Sequence, residues 1–165
     1  MIKKKNSQEK HFINSLIKSE ILKIKNNFPT SQSVLIESLK IVQKYYGWVS
    51  DSSIKFISEI LNISISDIES VATFYSQIFR KPVGRYVIKI CDSMVCYVLG
   101  YKKIKKIINT TLNIKFGKTT RDKNITFLPI CCLGACDKGP VIMINEKTYF
   151  NVNKSSILKL LDSIK

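Results

Sequence analysis

Two short cysteine-bearing stretches constrain this chain more than any other feature: Cys91-Asp-Ser-Met-Val-Cys96 and, further on, Cys132-Leu-Gly-Ala-Cys136. The segment between them is long enough for a helix and at least one strand, so a fold that closes on itself can bring four thiols to one point. Four clustered thiolates hold either structural zinc or an iron–sulfur centre, and ligand count alone does not separate the two. Structural zinc sites mostly space paired ligands by two residues and sometimes by up to four. A binuclear iron centre needs one cysteine pair for each iron. Here four residues separate one pair and three the other, in unlike loops. The fifth thiol, Cys131, makes the count odd, and in a reducing compartment such cysteines read as ligands rather than disulfides. Neither pair is a CxxC, which argues against a thiol–disulfide oxidoreductase.

A chain of 165 residues with 45% hydrophobic content can bury a core and hold one domain or two small ones. No apolar run reaches bilayer length. The start, Met1-Ile-Lys-Lys-Lys-Asn-Ser-Gln-Glu, has positive charge but no apolar stretch after it, and lacks the arginine-rich character of a mitochondrial presequence. The expectation is a cytoplasmic protein without membrane insertion. The net charge of +15 invites a nucleic-acid reading. However, the basic residues are nearly all lysine, alongside abundant Ile and Asn, as an AT-rich coding sequence produces. Phosphate recognition favours arginine, and the arginines are only Arg80, Arg85 and Arg121. No nucleic acid is expected. His11 reads as a solvated surface residue.

Helical periodicity governs the first half. Ile13, Ile17, Ile21 and Ile24 give one apolar stripe from Gln8 to Lys25. Thr30 or Ser31 opens a second helix with Leu35, Leu39, Val42 and Tyr46 inward, closing at Gly47. Asp51 or Ser50 starts a third, carrying Ile54, Ile57 and Leu61. Ser64 opens a fourth, whose stripe runs through Ile68, Val71, Ala72, Tyr75, Ile78 and Phe79. After Lys81-Pro82 the period becomes two: Tyr86, Ile88 and Ile90 alternate with Val87 and Lys89, a strand ending at Cys91. Cys96 then opens a helix containing Tyr97, Tyr101, Ile104 and Ile108. Next come a strand at Ile125–Ile130, with Pro129 marking an edge or an end, the second cysteine loop, and a strand at Val141–Ile144. A turn at Asn145–Lys147, a strand at Thr148–Asn151 and a closing helix with Ile157, Leu160, Leu161 and Ile164 complete the chain. The order β-α-β then β-β-α is that of a small thioredoxin-like domain. The fold class is therefore α/β, with a helical region over residues 1–81 and a thioredoxin-like domain over 82–165.

Both cysteine loops follow strands, and ligand sites in open α/β sheets gather at strand carboxyl ends. Gly134 and Ala135 are small enough to let backbone N–H groups approach a sulfur, one of the devices that tunes a cluster. Met94, Val95 and Leu133 are placed to shield the site from water, with ordinary packing an equal alternative. Pro140 directly precedes a strand, where thioredoxin-like folds often carry a cis proline, so a cis Gly139–Pro140 bond is expected.

The combination of Cys91-x4-Cys96 with Cys132-Leu-Gly-Ala-Cys136-Asp-Lys-Gly-Pro140 resembles the family of 24 kDa-type [2Fe–2S] subunits, the E subunits, of NADH:quinone oxidoreductase, respiratory complex I. The likeness extends to Gly47-Trp48-Val49-Ser50, Val71-Ala-Thr-Phe-Tyr75 and Pro82-Val-Gly84, and spans nearly the whole chain. It implies an N-terminal helical bundle followed by a thioredoxin-like ferredoxin domain, and one [2Fe–2S] cluster with Cys91 and Cys96 on one iron and Cys132 and Cys136 on the other. It further implies a partner that carries FMN and binds NADH, exchanging single electrons with the cluster, among other peripheral-arm subunits. The chain would then be part of an oxidoreductase without a complete active site of its own, attached through the complex to the cytoplasmic side of a bacterial inner membrane. Two residues depart from the pattern. Cys131 stands where a non-cysteine is expected, and since neighbours on a strand point oppositely, it is read as a buried or spare thiol. Arg121-Asp-Lys-Asn124 lacks the glycine that relatives tend to have in this turn.

Two other readings remain on sequence grounds. The same module occurs in NAD-linked hydrogenases and formate dehydrogenases. A zinc-stapled, lysine-rich nucleic-acid-binding module would share the cysteines but be colourless, with strongly salt-dependent affinity.

Overall fold

The computed structural model describes residues 7–164; Met1 to Asn6, which carry most of the basic stretch read above, and Lys165 lie outside the described residues. Helix α1 (Ser7–Lys25) is followed by α2 (Ser31–Tyr46), α3 (Asp51–Leu61) and α4 (Ile65–Phe74). Each of the last three begins where a hydroxyl is available to an orphan backbone N–H. Thr30 accepts from the Ser33 N–H, Ser50 from that of Ser53 and Ser64 from that of Asp67. Gly47 closes α2 in the left-handed region at φ 78°, a conformation glycine adopts without steric penalty. The apolar stripes meet in one core of Ile17, Ile21, Val34, Leu35, Leu39, Val42, Ile54, Ile57, Leu61, Ile68 and Ala72.

The stripe expected to continue α4 through Phe79 does not. Helix α4 stops at Phe74, and Tyr75 is extended. Phe74 is 79% exposed, while Ile78 returns to the core. The returning segment is fixed by polar groups that periodicity cannot reveal. The Gln43 side chain donates to the Gln77 carbonyl at 2.9 Å and accepts from the Phe79 N–H at 2.6 Å. Arg80 donates to Glu69 (2.8 Å), to Asp51 (2.7 Å) and to the buried Val49 carbonyl.

A second compact unit begins at Val83. It contains β1 (Tyr86–Cys91), α5 (Met94–Val98), α6 (Tyr101–Leu112), β2 (Ile125–Ile130), β3 (Ile142–Ile144), β4 (Lys147–Tyr149) and α7 (Lys154–Asp162). The sheet order is β2-β1-β3-β4, with β1 parallel to β2 and antiparallel to β3, and β3 antiparallel to β4. Pro129, which has no N–H for a second neighbour, sits on the edge strand β2. Ile88, Ile90, Phe127, Ile142 and Ile144 pack with Tyr101, Ile104 and Ile108 of α6 and Ile157 and Leu161 of α7.

The alternating Val87 and Lys89 of β1 are each only 4% exposed, so the central strand is buried on both sides. Two sequence expectations change here. The single helix expected from Cys96 is two helices, because Gly100 takes φ 115° and breaks the run. The final strand is shorter than expected, with Phe150 and Asn151 beyond its end. In the glycine-free turn, Lys123 takes φ 58°, a left-handed conformation that glycine adopts more easily than lysine.

Candidate metal centre

The parallel register of β1 and β2 pairs Cys91 with Ile130, so both strands end level and deliver their following loops to the same edge. Backbone bonds hold that edge together: Asp92 N–H to the Ile130 carbonyl (3.1 Å), Cys91 N–H to Val141 (3.1 Å), Lys138 N–H to Ala135 (3.1 Å), and Val152 N–H to Pro140 (3.0 Å). Cys96 lies within the short α5, one turn after Cys91, and does not itself open a helix. Cys136 starts a single 3-10 turn. The Gly139–Pro140 peptide bond is cis, as expected. A Cβ at Gly139 would stand 2.7 Å from Leu99 Cδ1 and 3.4 Å from Cys96 Sγ, so this backbone lies directly against the cysteine.

Cys91 and Cys96 are both 1% exposed and share an apolar nest with Ile130, Val141, Leu133 and Ala135. Cys132 and Cys136 are exposed, with their Sγ atoms 3.3 Å apart. The Gly134 N–H points at Cys132 Sγ at 3.4 Å, the backbone-to-sulfur contact expected of this loop. The pairs are also coupled to each other: the Leu133 N–H donates to Cys91, and the charge of Cys91 acts on both Cys132 and Cys136. All four cysteines selected by their spacing are thus brought to one strand edge as a buried pair facing an exposed pair. Cys131 is exposed rather than buried and lies just past the end of β2. Met94 and Val95, expected to exclude water, are 75% and 40% exposed; only Leu133 packs against the buried pair.

Within each pair the two thiols differ in acidity. Burial pushes Cys91 up, but hydrogen bonds from the Ser93 hydroxyl and N–H, Cys96 and the Leu133 N–H more than offset it, and Cys91 falls below the ordinary thiol value. Cys96 rises, chiefly through burial. The Gly134 N–H lowers Cys132, while the hydrogen bond and charge of Cys132 raise Cys136. Within each pair, then, one thiol is the more acidic and its neighbour the less.

This donor set fits a cluster. Two thiolates on one tetrahedral ion with metal–sulfur bonds of about 2.3 Å stand about 3.8 Å apart, close to the Cys132–Cys136 separation. Among the described residues, no three His, Cys, Asp or Glu side chains are grouped to take a single ion. Nor is any described helix long and apolar enough to cross a membrane. Sequence reasoning passed over Ser93, whose hydroxyl lies 3.1 Å from Cys91 Sγ. The signal was present, but a serine before a helix reads first as a cap.

Residues 21–165 match the family model described as thioredoxin-like [2Fe–2S] ferredoxin. The E subunit of the NADH-quinone oxidoreductase of Buchnera aphidicola subsp. Acyrthosiphon pisum is 55% identical, covering 91% of this chain and 94% of its own. The corresponding E subunits of Salmonella typhimurium and Escherichia coli K12 are each 51% identical, covering 86% and 85% of this chain and 85% and 84% of their own. Among solved structures, NAD+-reducing [NiFe]-hydrogenase in its air-oxidised state aligns with a TM-score of 0.70 and 22% identity over 79% of this chain. This chain spans only 22% of the hydrogenase chain, and that likeness speaks to the fold alone. The thioredoxin-like α/β fold expected from the element order is the fold observed.

Proposed function

This chain belongs to the thioredoxin-like [2Fe–2S] ferredoxin family, and on that footing we propose that it is the electron-transferring E subunit of an NADH:quinone oxidoreductase. In this reading it holds one [2Fe–2S] cluster, with Cys91 and Cys96 on one iron and Cys132 and Cys136 on the other. The observation that carries it is the meeting, at one strand edge, of two cysteine pairs from separate loops, the thiols of each pair within hydrogen-bonding reach of one another. A cluster of this type takes up and returns one electron at a time, at a potential set by ligands, hydrogen bonds and exposure. Cys91, Cys96, Cys132 and Cys136 would hold the cluster as thiolates, so binding it would release the protons they carry. The Gly134 and Leu133 N–H groups would donate to ligand sulfur. Leu133, Ile130 and Val141 keep water from the buried pair, and the exposed pair is the side open to a partner.

The partner in this reading is the subunit that carries FMN and binds NADH, because a flavin splits an electron pair into the single electrons such a centre accepts. The other peripheral-arm subunits complete the assembly, on the cytoplasmic side of a bacterial inner membrane. The test is spectroscopic and chemical. Protein purified without air is expected to be reddish-brown, to contain inorganic sulfide, and to give a rhombic EPR signal on reduction. Cys131→Ser keeps the visible absorption and Cys132→Ser loses or perturbs it. Colourless protein containing zinc and no sulfide overturns the cluster, and the reverse behaviour of the two serine variants overturns the ligand assignment. Loss of colour with failure to co-purify with the flavin-bearing subunit overturns the whole reading.

A further inference from the structure

Ser93 stands at the N-cap of α5, with extended backbone (φ −69°, ψ 161°), yet its side chain makes no capping hydrogen bond. Every other polar N-cap side chain among the described residues does cap: Thr30, Ser50, Ser64 and Asn153 each accept from a backbone N–H three residues on. A hydroxyl in this position normally turns toward the helix, because the first-turn N–H groups have no other partner. The Ser93 hydroxyl turns the other way and lies 3.1 Å from Cys91 Sγ.

We propose that Ser93 is a positioning residue that donates its hydroxyl proton to ligand sulfur and thereby raises the reduction potential of the centre. The inference rests on the ligand reading given above. A metal-bound thiolate has no proton left to give, so at a distance of 3.1 Å the hydroxyl must be the donor and the sulfur the acceptor. Reduction adds negative charge that spreads onto the sulfurs. A donor aimed at sulfur therefore favours the reduced state over the oxidised one. The half-buried position of Ser93 beside two thiols that are 1% exposed keeps bulk water from supplying the same hydrogen bond.

The experiment compares full-length wild type with Ser93→Ala and Ser93→Thr, purified anaerobically and titrated potentiometrically with EPR detection. Ser93→Ala is expected to retain the centre and to bind its electron about tenfold more weakly, a shift of about 59 mV to more negative potential for one electron. Ser93→Thr, which keeps the hydroxyl, is expected to restore the wild-type value. In cluster-free protein the urea midpoint of Ser93→Ala should match wild type, because no cap is lost. An unchanged potential in a cluster-bearing Ser93→Ala variant overturns the inference while leaving the ligand reading intact. A lowered urea midpoint with unchanged potential assigns Ser93 to the helix end and likewise overturns it. Absence of inorganic sulfide in wild type instead overturns the ligand reading itself.

Discussion

Gly84 lies just before β1, and replacing it with alanine tests whether the start of the β1–β2 ladder is as close-packed as the geometry implies. A Cβ at Gly84 would stand 2.7 Å from Asn124 C and O and 2.8 Å from Ile125 N. Ordinary carbon contacts lie at about 3.5–4.0 Å, so one backbone must retreat by roughly 0.7–1 Å. Both neighbours are main chain, and no side chain can rotate out of the way. Two hydrogen bonds stand in the path of that movement, Gly84 N–H to Thr126 Oγ1 (2.6 Å) and Tyr86 N–H to the Asn124 carbonyl (2.8 Å). Overpacking costs about 1–3 kcal/mol, and each weakened bond adds about 1 kcal/mol. The reduced freedom of the unfolded chain returns about 0.4–1 kcal/mol. The net expectation is a loss of about 2–4 kcal/mol. With an m-value of about 2 kcal/mol/M, the urea midpoint of cluster-free protein followed by far-UV circular dichroism falls by about 1–2 M. Gly47→Ala is the control: its Cβ meets nothing within 4 Å, so only the left-handed φ of 78° is strained and the loss is about 1 kcal/mol. A Gly84→Ala variant within about 0.5 kcal/mol of wild type refutes the reasoning.

Arg80→Met should cost about 2–4 kcal/mol in urea unfolding, since it leaves the Val49 carbonyl, on a residue with no exposure, without this donor and removes two bonds to Glu69. Asp51→Asn, by contrast, should cost under about 0.5 kcal/mol because Asp51 is 93% exposed; equal losses for the two variants would contradict this ranking. Burial lowers the pKa of Lys89, with Glu146 opposing it only in part. The unfolded state then binds more protons below the ordinary lysine value of 10.5, so the contribution of Lys89 to stability improves as pH rises toward that value. The stability of Lys89→Met relative to wild type should accordingly shrink from pH 7 to pH 10, and a gap that widens would reverse the assigned direction.

The sequence was informative wherever one local rule acts alone. Thr30, Ser50 and Ser64 each open a helix, Gly47 ends one, and Pro129 marks an edge strand, because each effect is settled within a few residues. It was less informative where a distant group intervenes. Apolar spacing continues smoothly from Val71 to Phe79, yet Gln43 and Arg80 turn that stretch back on itself. Gly100 did signal the break between α5 and α6, but Tyr97 and Tyr101 kept the helical interval across it and stack at 6.2 Å. At the site, cysteine spacing selected the residues that converge. The same spacing carries no information on which pair is wet, since that depends on Leu133, Ile130 and Val141 closing over one side only. Nor does a serine in a sequence disclose whether its hydroxyl turns toward a helix or a sulfur.

The unequal burial of the two cysteine pairs gives the site a direction in time as well as in space. Dissolved oxygen reaches Cys132, Cys136 and the adjacent Cys131 without crossing any packed side chain, whereas Cys91 and Cys96 sit behind Leu133 and Val141. In the chain by itself oxidation is therefore expected to begin on the outer sulfurs, where three neighbouring exposed thiols allow mismatched bridges to form first. The inner pair, shielded from the same oxidant, is expected to keep its thiols longer.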